Sequence, residues 1–265
     1  MSKLPKIEEL LDAGVHYGHQ IKRWNPKMSQ YIFTQKSGIH VIDLEKTEAQ
    51  IEVAVDFIKN LASNGGNVLF LATKKQAAEI VSEEAKKAGV RYLTVRWLGG
   101  LLTNFEAVRK TIDKFDQIEE KLKEKESYTK REQLLMQKEL TKLERVLGGI
   151  RDMVRLPDAM FIVDARKEDN AVREANKMAV PIVALVDTNG DPTKVDYPIA
   201  ANDDSIKSIM LLVKTIAQAY ADGRKIWEKK EAKQAKSMEK EAEGDEAVGN
   251  RISEYVNEAV DRKRN

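Results

Sequence analysis

Four aspartates lie next to predicted strands or helices, where an α/β chain usually carries its chemistry. Asp164 and Asp187 each follow an apolar run, and Asp203 and Asp204 precede the last long helix. Because carboxylate oxygens are the ligands that Mg²⁺ and Ca²⁺ prefer, these side chains are candidates for binding a divalent cation. Aspartates are also common in turns and at helix caps, and this alternative is favoured because no metal-ligand spacing recurs in the chain.

Three histidines, His16, His19 and His40, all lie within residues 14–44. His16 and His19 would share one face of a helix, but the glycines around them disfavour a helix there. A zinc site needs more ligands than this segment shows. We therefore expect no cofactor and keep a divalent cation as the alternative. Its candidate ligands are His16, Asp187, Asp203 and Asp204.

No catalytic motif accompanies these groups in the sequence. The turn after the first apolar run, at residues 73–77, contains no glycine, so it cannot form the backbone cradle that binds a pyrophosphate. Ser29 and Ser37 lack the flanking glycines of a nucleophile elbow. We expect a protein that is not an enzyme and binds no small-molecule substrate. A nucleotide- or metal-dependent enzyme on a doubly wound sheet is the alternative.

Residues 22–27 combine cations, an aromatic ring and a turn-forming Asn–Pro pair in one short segment. An arginine can bind a phosphate with two parallel hydrogen bonds, and a tryptophan can stack on a base or beneath the arginine. This combination predicts an RNA contact, which we assign to Lys22, Arg23, Trp24, Asn25 and Lys27.

Further cations lie beside predicted turns and add to a discontinuous basic surface. Lys74 and Lys75 follow the first buried strand, Arg96 precedes Gly99 and Gly100, and Arg109 opens a long helical segment. Each of these signals is weak alone, because lysine and arginine are ordinary on solvated faces. Together they extend the predicted RNA-binding set to Lys74, Lys75, Arg96 and Arg109.

Composition limits the classes of protein that fit the chain. The 265 residues include 42% hydrophobic residues, which is enough for a core, and the net charge is only +2, so nucleic-acid binding must depend on local patches. The chain has no cysteine, which excludes disulfides and thiolate zinc sites. No apolar stretch approaches the length of a membrane span, and the first residues lack the apolar run of a signal peptide. We expect a cytoplasmic protein without membrane contact.

Strand and helix patterns alternate along most of the chain. Continuous apolar runs at 67–72, 159–163 and 181–186 predict strands buried on both faces, with a further strand at 90–95. Helical periodicity at 47–61, 76–88, 170–178 and 205–221 separates or flanks them. This alternation predicts an α/β fold, a doubly wound and mostly parallel sheet with helices on both faces.

Two short strands at 31–35 and 40–44 are predicted in the arm, our term for residues 14–44. We expect apolar residues of the arm, including Phe33, to pin it to the α/β body.

The alternation is interrupted between residues 103 and 147. Apolar residues step by three and four in two segments with heavily charged outer faces, which indicates an antiparallel helical hairpin with a coiled-coil seam. The chain then divides into an arm with the first part of the α/β domain (1–103), the inserted hairpin (104–147), the second part of the α/β domain (148–228) and a charged, largely disordered tail (229–265).

Several independent motifs closely resemble the family of the second ribosomal protein of the bacterial small subunit, and the resemblance runs from about residue 7 to residue 227. They are GVHYGHQ (14–20), RWNPKM (23–28), GIHVIDL (38–44), RWLGGLLTNF (96–105), VDARKE (163–168), VALVDTN (183–189) and NDDSIKSI (202–209).

The resemblance implies both a fold and a role. It implies a flavodoxin-like α/β domain with an inserted helical hairpin, in a structural constituent of the ribosome that takes part in translation. The implied partners are small-subunit rRNA and neighbouring ribosomal proteins, including the mRNA-binding ribosomal protein one, which this family helps to hold. The cations of residues 22–27, with Arg96 and Arg109, would face the RNA.

Overall fold

A computed structural model describes residues 4–123 and 128–261. The helices are α1 (Ile7–Asp12), α2 (Leu44–Ser63), α3 (Lys75–Ala88), α4 (Phe105–Lys123), α5 (Lys130–Leu147), α6 (Asp169–Lys177) and α7 (Ile206–Asp261). The strands are β1 (Tyr17–Gln20), β2 (Ile32–Lys36), β3 (Ile39–Ile42), β4 (Val68–Leu71), β5 (Arg91–Leu93), β6 (Ala159–Val163), β7 (Ile182–Val186) and β8 (Tyr197–Ala200).

The central sheet has the strand order β5-β4-β6-β7-β8, and each neighbouring pair is parallel. Numbered along the sheet's own strands this order is 2-1-3-4-5, which is the order of flavodoxin-like doubly wound sheets. The α/β prediction with a mostly parallel sheet is confirmed. All carboxyl ends of these strands meet at one edge, which we call the carboxyl edge.

Helices cover both faces of this sheet. Alternate residues of each strand point to opposite faces, so each strand contributes to both layers. Phe70 and Phe161 face α2, α3 and α7, and their ring centroids lie 4.9 Å apart. Leu71 and Ile162 face the other way, into a core that includes residues of α4 and α6 and the end of α5. The near-continuous apolar runs in the sequence result from this double burial.

The arm forms a small antiparallel sheet of its own, with the order β1-β3-β2. The two strands predicted there are confirmed as β2 and β3. Buried Met28 and Ile42 attach the arm to the core on the α4 and α6 side of the sheet. Val15 enters the core on the α2, α3 and α7 side. Phe33 was expected to help and does not, since its side chain is 74% exposed on the outer side of β2.

The predicted hairpin region contains two helices, α4 and α5, that pack on one another. Ile112, Phe115 and Ile118 of α4 are buried, and Lys114 Nζ pairs with Glu139 Oε1 of α5 at 2.6 Å. Arg151, just after α5, pairs with Asp116 and lies over the Phe115 ring. The charged break between the two helices falls partly on residues 124–127, which lie outside the described residues.

The last helix, α7, continues to Asp261, past the proposed boundary at residue 229. The division into domains stays a prediction, and residues 1–3 and 262–265 lie outside the described residues. No helix in the described part of the chain combines the length and apolarity needed to cross a membrane.

Candidate nucleic-acid interface

Lys74 occupies the centre of the carboxyl edge. It follows β4, and its Nζ lies 2.7 Å from Asp203 Oδ1, 2.7 Å from Asp204 Oδ1 and 3.2 Å from Asp164 Oδ2. The loops after β4, β6 and β8 supply these groups because parallel strands end at the same edge. The ammonium group therefore holds three loops together from within the cluster of aspartates.

His19 joins the arm to the same cluster. Its Nδ1 lies 3.0 Å from Asp187 Oδ1, and its Nε2 lies 3.4 Å from Asp204 Oδ2. The backbone N–H of His19 also donates to Thr188 Oγ1 at 2.8 Å. The adjacent Gly18 makes this approach possible, since a Cβ there would come within 2.5 Å of Thr188 Cγ2.

Charge and burial in this cluster shift several pKa values. Burial, followed by the charges of Asp164 and Asp187, raises the pKa of Asp203 to about 7. Burial alone would lower the pKa of Lys74, but the surrounding carboxylates, Asp203 above all, raise it overall. The hydrogen bond to Asp187 raises the pKa of His19. All three pKa values are raised because the cluster contains more carboxylates than ammonium groups, and the excess negative charge favours the protonated form of each group.

The raised pKa of Asp203 predicts a specific pH dependence of stability. A carboxyl group whose pKa is raised on folding stabilises the folded state below its unfolded pKa of 3.8, and this stabilisation is lost as the pH rises through the folded pKa. We expect Asp203→Asn to remove this loss. The free energy of unfolding of the variant should rise relative to the native chain by up to about 4 kcal/mol between pH 4 and pH 7, at about 1.4 kcal/mol per pKa unit.

Urea titrations of both proteins at several pH values would measure this difference. Lys74, Asp164, Asp187 and His19 face Asp203 and are present in both proteins, so their own titrations largely cancel. A stability difference that does not change between pH 4 and pH 7 would contradict the assignment.

The predicted metal ligands are brought together only in part. Asp187, Asp203 and Asp204 meet at the carboxyl edge, but Lys74 lies among them, and His19 rather than His16 reaches them. His16 Nδ1 is buried without a hydrogen-bond partner, beside the ring of Tyr17. In the described ranges, no group of three or more histidine, aspartate or glutamate side chains is arranged to hold a metal ion.

Three of the predicted RNA-binding cations make internal ion pairs. Besides Lys74, Lys27 Nζ contacts Asp191 Oδ2 at 2.6 Å. Arg109 Nε contacts Asp113 Oδ1 at 3.0 Å, and Arg109 Nη1 donates to Met153 O. These cations fix the arm and the base of α4.

Trp24 and Asn25 also hold the arm in place. The Trp24 ring centroid lies 5.0 Å from that of the buried His40. Asn25 Oδ1 accepts from Lys27 N at 3.0 Å, and Asn25 N donates to Thr188 O at 2.7 Å. The turn that carries the neighbouring cations is therefore fixed at both ends.

The other four predicted cations point outward. Lys22, Arg23, Lys75 and Arg96 are exposed. Arg23 borders the cleft that contains Asp187 and Asp204. Lys75 and Arg96 follow β4 and β5 at the same carboxyl edge. Cations from separate segments thus lie around one edge of the sheet.

Sequence reasoning missed Glu174 of α6, which organises the loop from residue 97 to residue 103. Its Oε1 accepts from Trp97 Nε1 at 2.9 Å and from Gly100 N at 2.8 Å, while its Oε2 accepts from Leu102 N at 3.1 Å and from both N and Oγ1 of Thr103. Burial opposes ionisation, but these hydrogen bonds lower the pKa of Glu174 overall. The sequence near residue 174 contains no pattern that predicts hydrogen-bond partners more than 70 residues away in the chain.

In a doubly wound sheet the ligand cleft lies at the carboxyl ends of the strands. Here Lys74 occupies the edge after β4 with its ion pairs, and Glu168 accepts a hydrogen bond from Thr73 beside it. A cation buried in ion pairs at this position, with exposed cations around the edge, fits a binding protein of the α/β class.

The chain belongs to the ribosomal protein S2 family, whose model matches residues 10–223. It is 48% identical over 233 residues to the small ribosomal subunit protein uS2 of Corynebacterium urealyticum, covering 87% of each chain. It is 48% identical over 249 residues to uS2 of Cytophaga hutchinsonii, covering 93% of this chain and 97% of the other. With uS2 of Acidothermus cellulolyticus the identity is 51% over 221 residues, covering 82% and 80%. This is a family of ribosomal structural proteins, and the enzyme alternative is not supported.

Proposed function

We propose that the chain acts as a structural component of the small ribosomal subunit by binding rRNA with the cations around its carboxyl edge. Membership of the ribosomal protein S2 family supports the subunit role, with a place in the cytoplasm within the ribosome. The observation that carries the RNA contact is the exposure of Lys22 and Arg23 beside a turn that is fixed by Asn25.

The proposed mechanism is neutralisation of phosphates by cations that the fold already holds in position. Exposed Lys22, Arg23, Lys75 and Arg96 would contact the RNA backbone. Lys27, Lys74 and Arg109 would act indirectly, because their ion pairs hold the arm and the helices in place. A preformed surface of this kind avoids most of the entropy loss that a flexible basic tail would suffer on binding.

Replacement of Lys22 and Arg23 by alanine tests this mechanism. Each phosphate contact contributes roughly 0.7–0.9 to the slope of log affinity against log salt concentration. We expect the double variant to bind small subunits more weakly and with a slope smaller by about 1.5. Rebinding of the purified chain to salt-washed subunits that lack this protein, at several salt concentrations, would measure both quantities.

Lys214 and Lys225, both exposed on α7, provide the matched control. Their replacement by alanine removes the same net charge at a distance from the arm and should leave the slope within about 0.3 of the native value, since each phosphate contact contributes roughly 0.7–0.9. Equal effects of the two double variants would point to general charge rather than to a specific contact.

We also propose that α4 and α5 form a coiled-coil hairpin that contacts neighbouring ribosomal proteins. Leu134 and Leu135 of α5 are 53% and 58% exposed, which leaves an apolar surface away from the sheet.

We further propose that the chain helps to hold the mRNA-binding ribosomal protein one. Retention of that protein on subunits reconstituted with and without the chain would test this role, and equal retention would contradict it.

A further inference from the structure

A slot lies between the loop that Glu174 organises and the base of the two long helices. Its volume is about 510 Å³, within the range of cavities that take a single small ligand. The loop supplies one wall, and α4 and α5 supply the others. Its lining includes Arg96, Trp97, Ala107, Val108, Lys142 and Val146.

The slot is preformed rather than induced by a ligand. The Glu174 carboxylate accepts hydrogen bonds from Trp97, Gly100, Leu102 and Thr103. These bonds fix both the indole and the backbone of the loop against α6. The opposite wall is held by the buried end of α5 at Leu147.

The lining is apolar inside and cationic at the rim. Trp97, Val108 and Val146 provide apolar surface, while Arg96 and Lys142 are exposed at the opening. Neither cation makes an ion pair with another described residue, and no acidic residue among those described lines the slot. Such a cavity fits a ligand with a flat apolar part and attached negative charge.

We propose that this slot accommodates one unpaired nucleotide of the rRNA, with its base between Trp97 and the helix residues and its phosphates at Arg96 and Lys142. The inference rests on the proposed function, because it names a subsite within the same RNA contact. Proteins recognise unpaired RNA bases by this combination of stacking and cations. An acidic amphipathic helix of a protein would need a long groove, whereas this cavity has a volume of only about 510 Å³.

Ala107→Phe fills the slot without changing charge, because Ala107 is an exposed residue of α4 in its wall. Gln117→Phe is the matched control, since Gln117 is an exposed neutral residue of the same helix outside the lining. Loss of one stacked base raises a dissociation constant by about fivefold to a hundredfold. We expect that change for Ala107→Phe in rebinding to salt-washed small subunits, and less than about twofold for Gln117→Phe.

Ultraviolet cross-linking of the rebound native chain, followed by mass spectrometry, should give nucleotide adducts on peptides that contain Trp97 or Lys142. Arg96→Ala serves as a second variant in case Ala107→Phe does not fold, and it should reduce both the affinity and the adducts. Native affinity of both variants without adducts would overturn the slot, and so would chemical cross-links from Lys142 to an acidic protein. Failure of the native chain to rebind at all would overturn the proposed function itself.

Discussion

Replacement of Lys74 by methionine is expected to lower the free energy of unfolding by about 3–5 kcal/mol at pH 7, the effect of breaking a buried ion pair by removing one partner. Only 12% of the lysine side chain is exposed, and it is the ammonium that Asp164, Asp203 and Asp204 share. Without it, the largely buried carboxylates of Asp164 and Asp203 repel one another. At pH 5 the loss should be smaller, because Asp203 can take up a proton.

Lys75→Met is the control, because Lys75 follows directly and is exposed. A surface substitution of this kind usually changes stability by less than about 0.5 kcal/mol. The double variant Lys74→Met/Asp203→Asn should recover part of the loss, because it also removes one of the uncompensated charges. Urea unfolding at pH 5 and pH 7 would measure these differences in the free energy of unfolding. Equal stability of Lys74→Met and Lys75→Met would contradict the central role of Lys74.

The fold was predictable where burial on both faces left a continuous apolar run. Residues 159–163 and 181–186 were recognised for that reason and form β6 and β7. Strand β8 was missed, because Pro198 and the short run at Tyr197–Ala200 do not indicate a strand. It lies at the edge of the sheet and pairs with β7 alone, where a proline is tolerated.

The candidate site was predictable by residue type but not by environment. Lys74 and Lys75 are adjacent and equivalent in sequence, yet one lies within a carboxylate cluster and the other is exposed. The difference comes from Asp203, 129 residues further along the chain. The sequence likewise cannot show that His19 rather than His16 reaches Asp187, because this depends on how the arm packs. Long-range partners of this kind leave no local pattern in the sequence.

Phe33 is a residue for which the prediction of burial is wrong. Its apolar side chain in a strand favoured burial, but the pairing of β2 and β3 is irregular between Ile32 and Thr34. Side-chain direction alternates along a strand, and a bulge changes which residues face inward. Ile32 therefore packs against the core on the α4 and α6 side of the sheet, while Phe33 is exposed to solvent.

Glu174→Gln is expected to loosen the loop at residues 97–103 although the side chain keeps its size. Each carboxylate oxygen accepts at least two hydrogen bonds, and the amide nitrogen of glutamine would face N–H donors instead of accepting from them. Loss of hydrogen bonds to a charged group costs about 1.5–3 kcal/mol when it is buried. Glu174 is half-buried, so we expect about 1–3 kcal/mol at pH 7.

Hydrogen exchange followed by mass spectrometry would localise this effect. The amides of Gly100 and Leu102 donate to Glu174, and they should exchange about tenfold faster in the variant, since about 1.4 kcal/mol corresponds to a factor of ten. Glu79→Gln, at an exposed position of α3, is the control and should leave these amides unchanged. Unaltered protection in Glu174→Gln would mean that packing alone holds the loop. Faster exchange with weaker rebinding to small subunits would connect this half-buried carboxylate to the RNA contact. Glu174 itself lies outside the slot lining, so it can act only by holding Trp97 and the loop after Arg96.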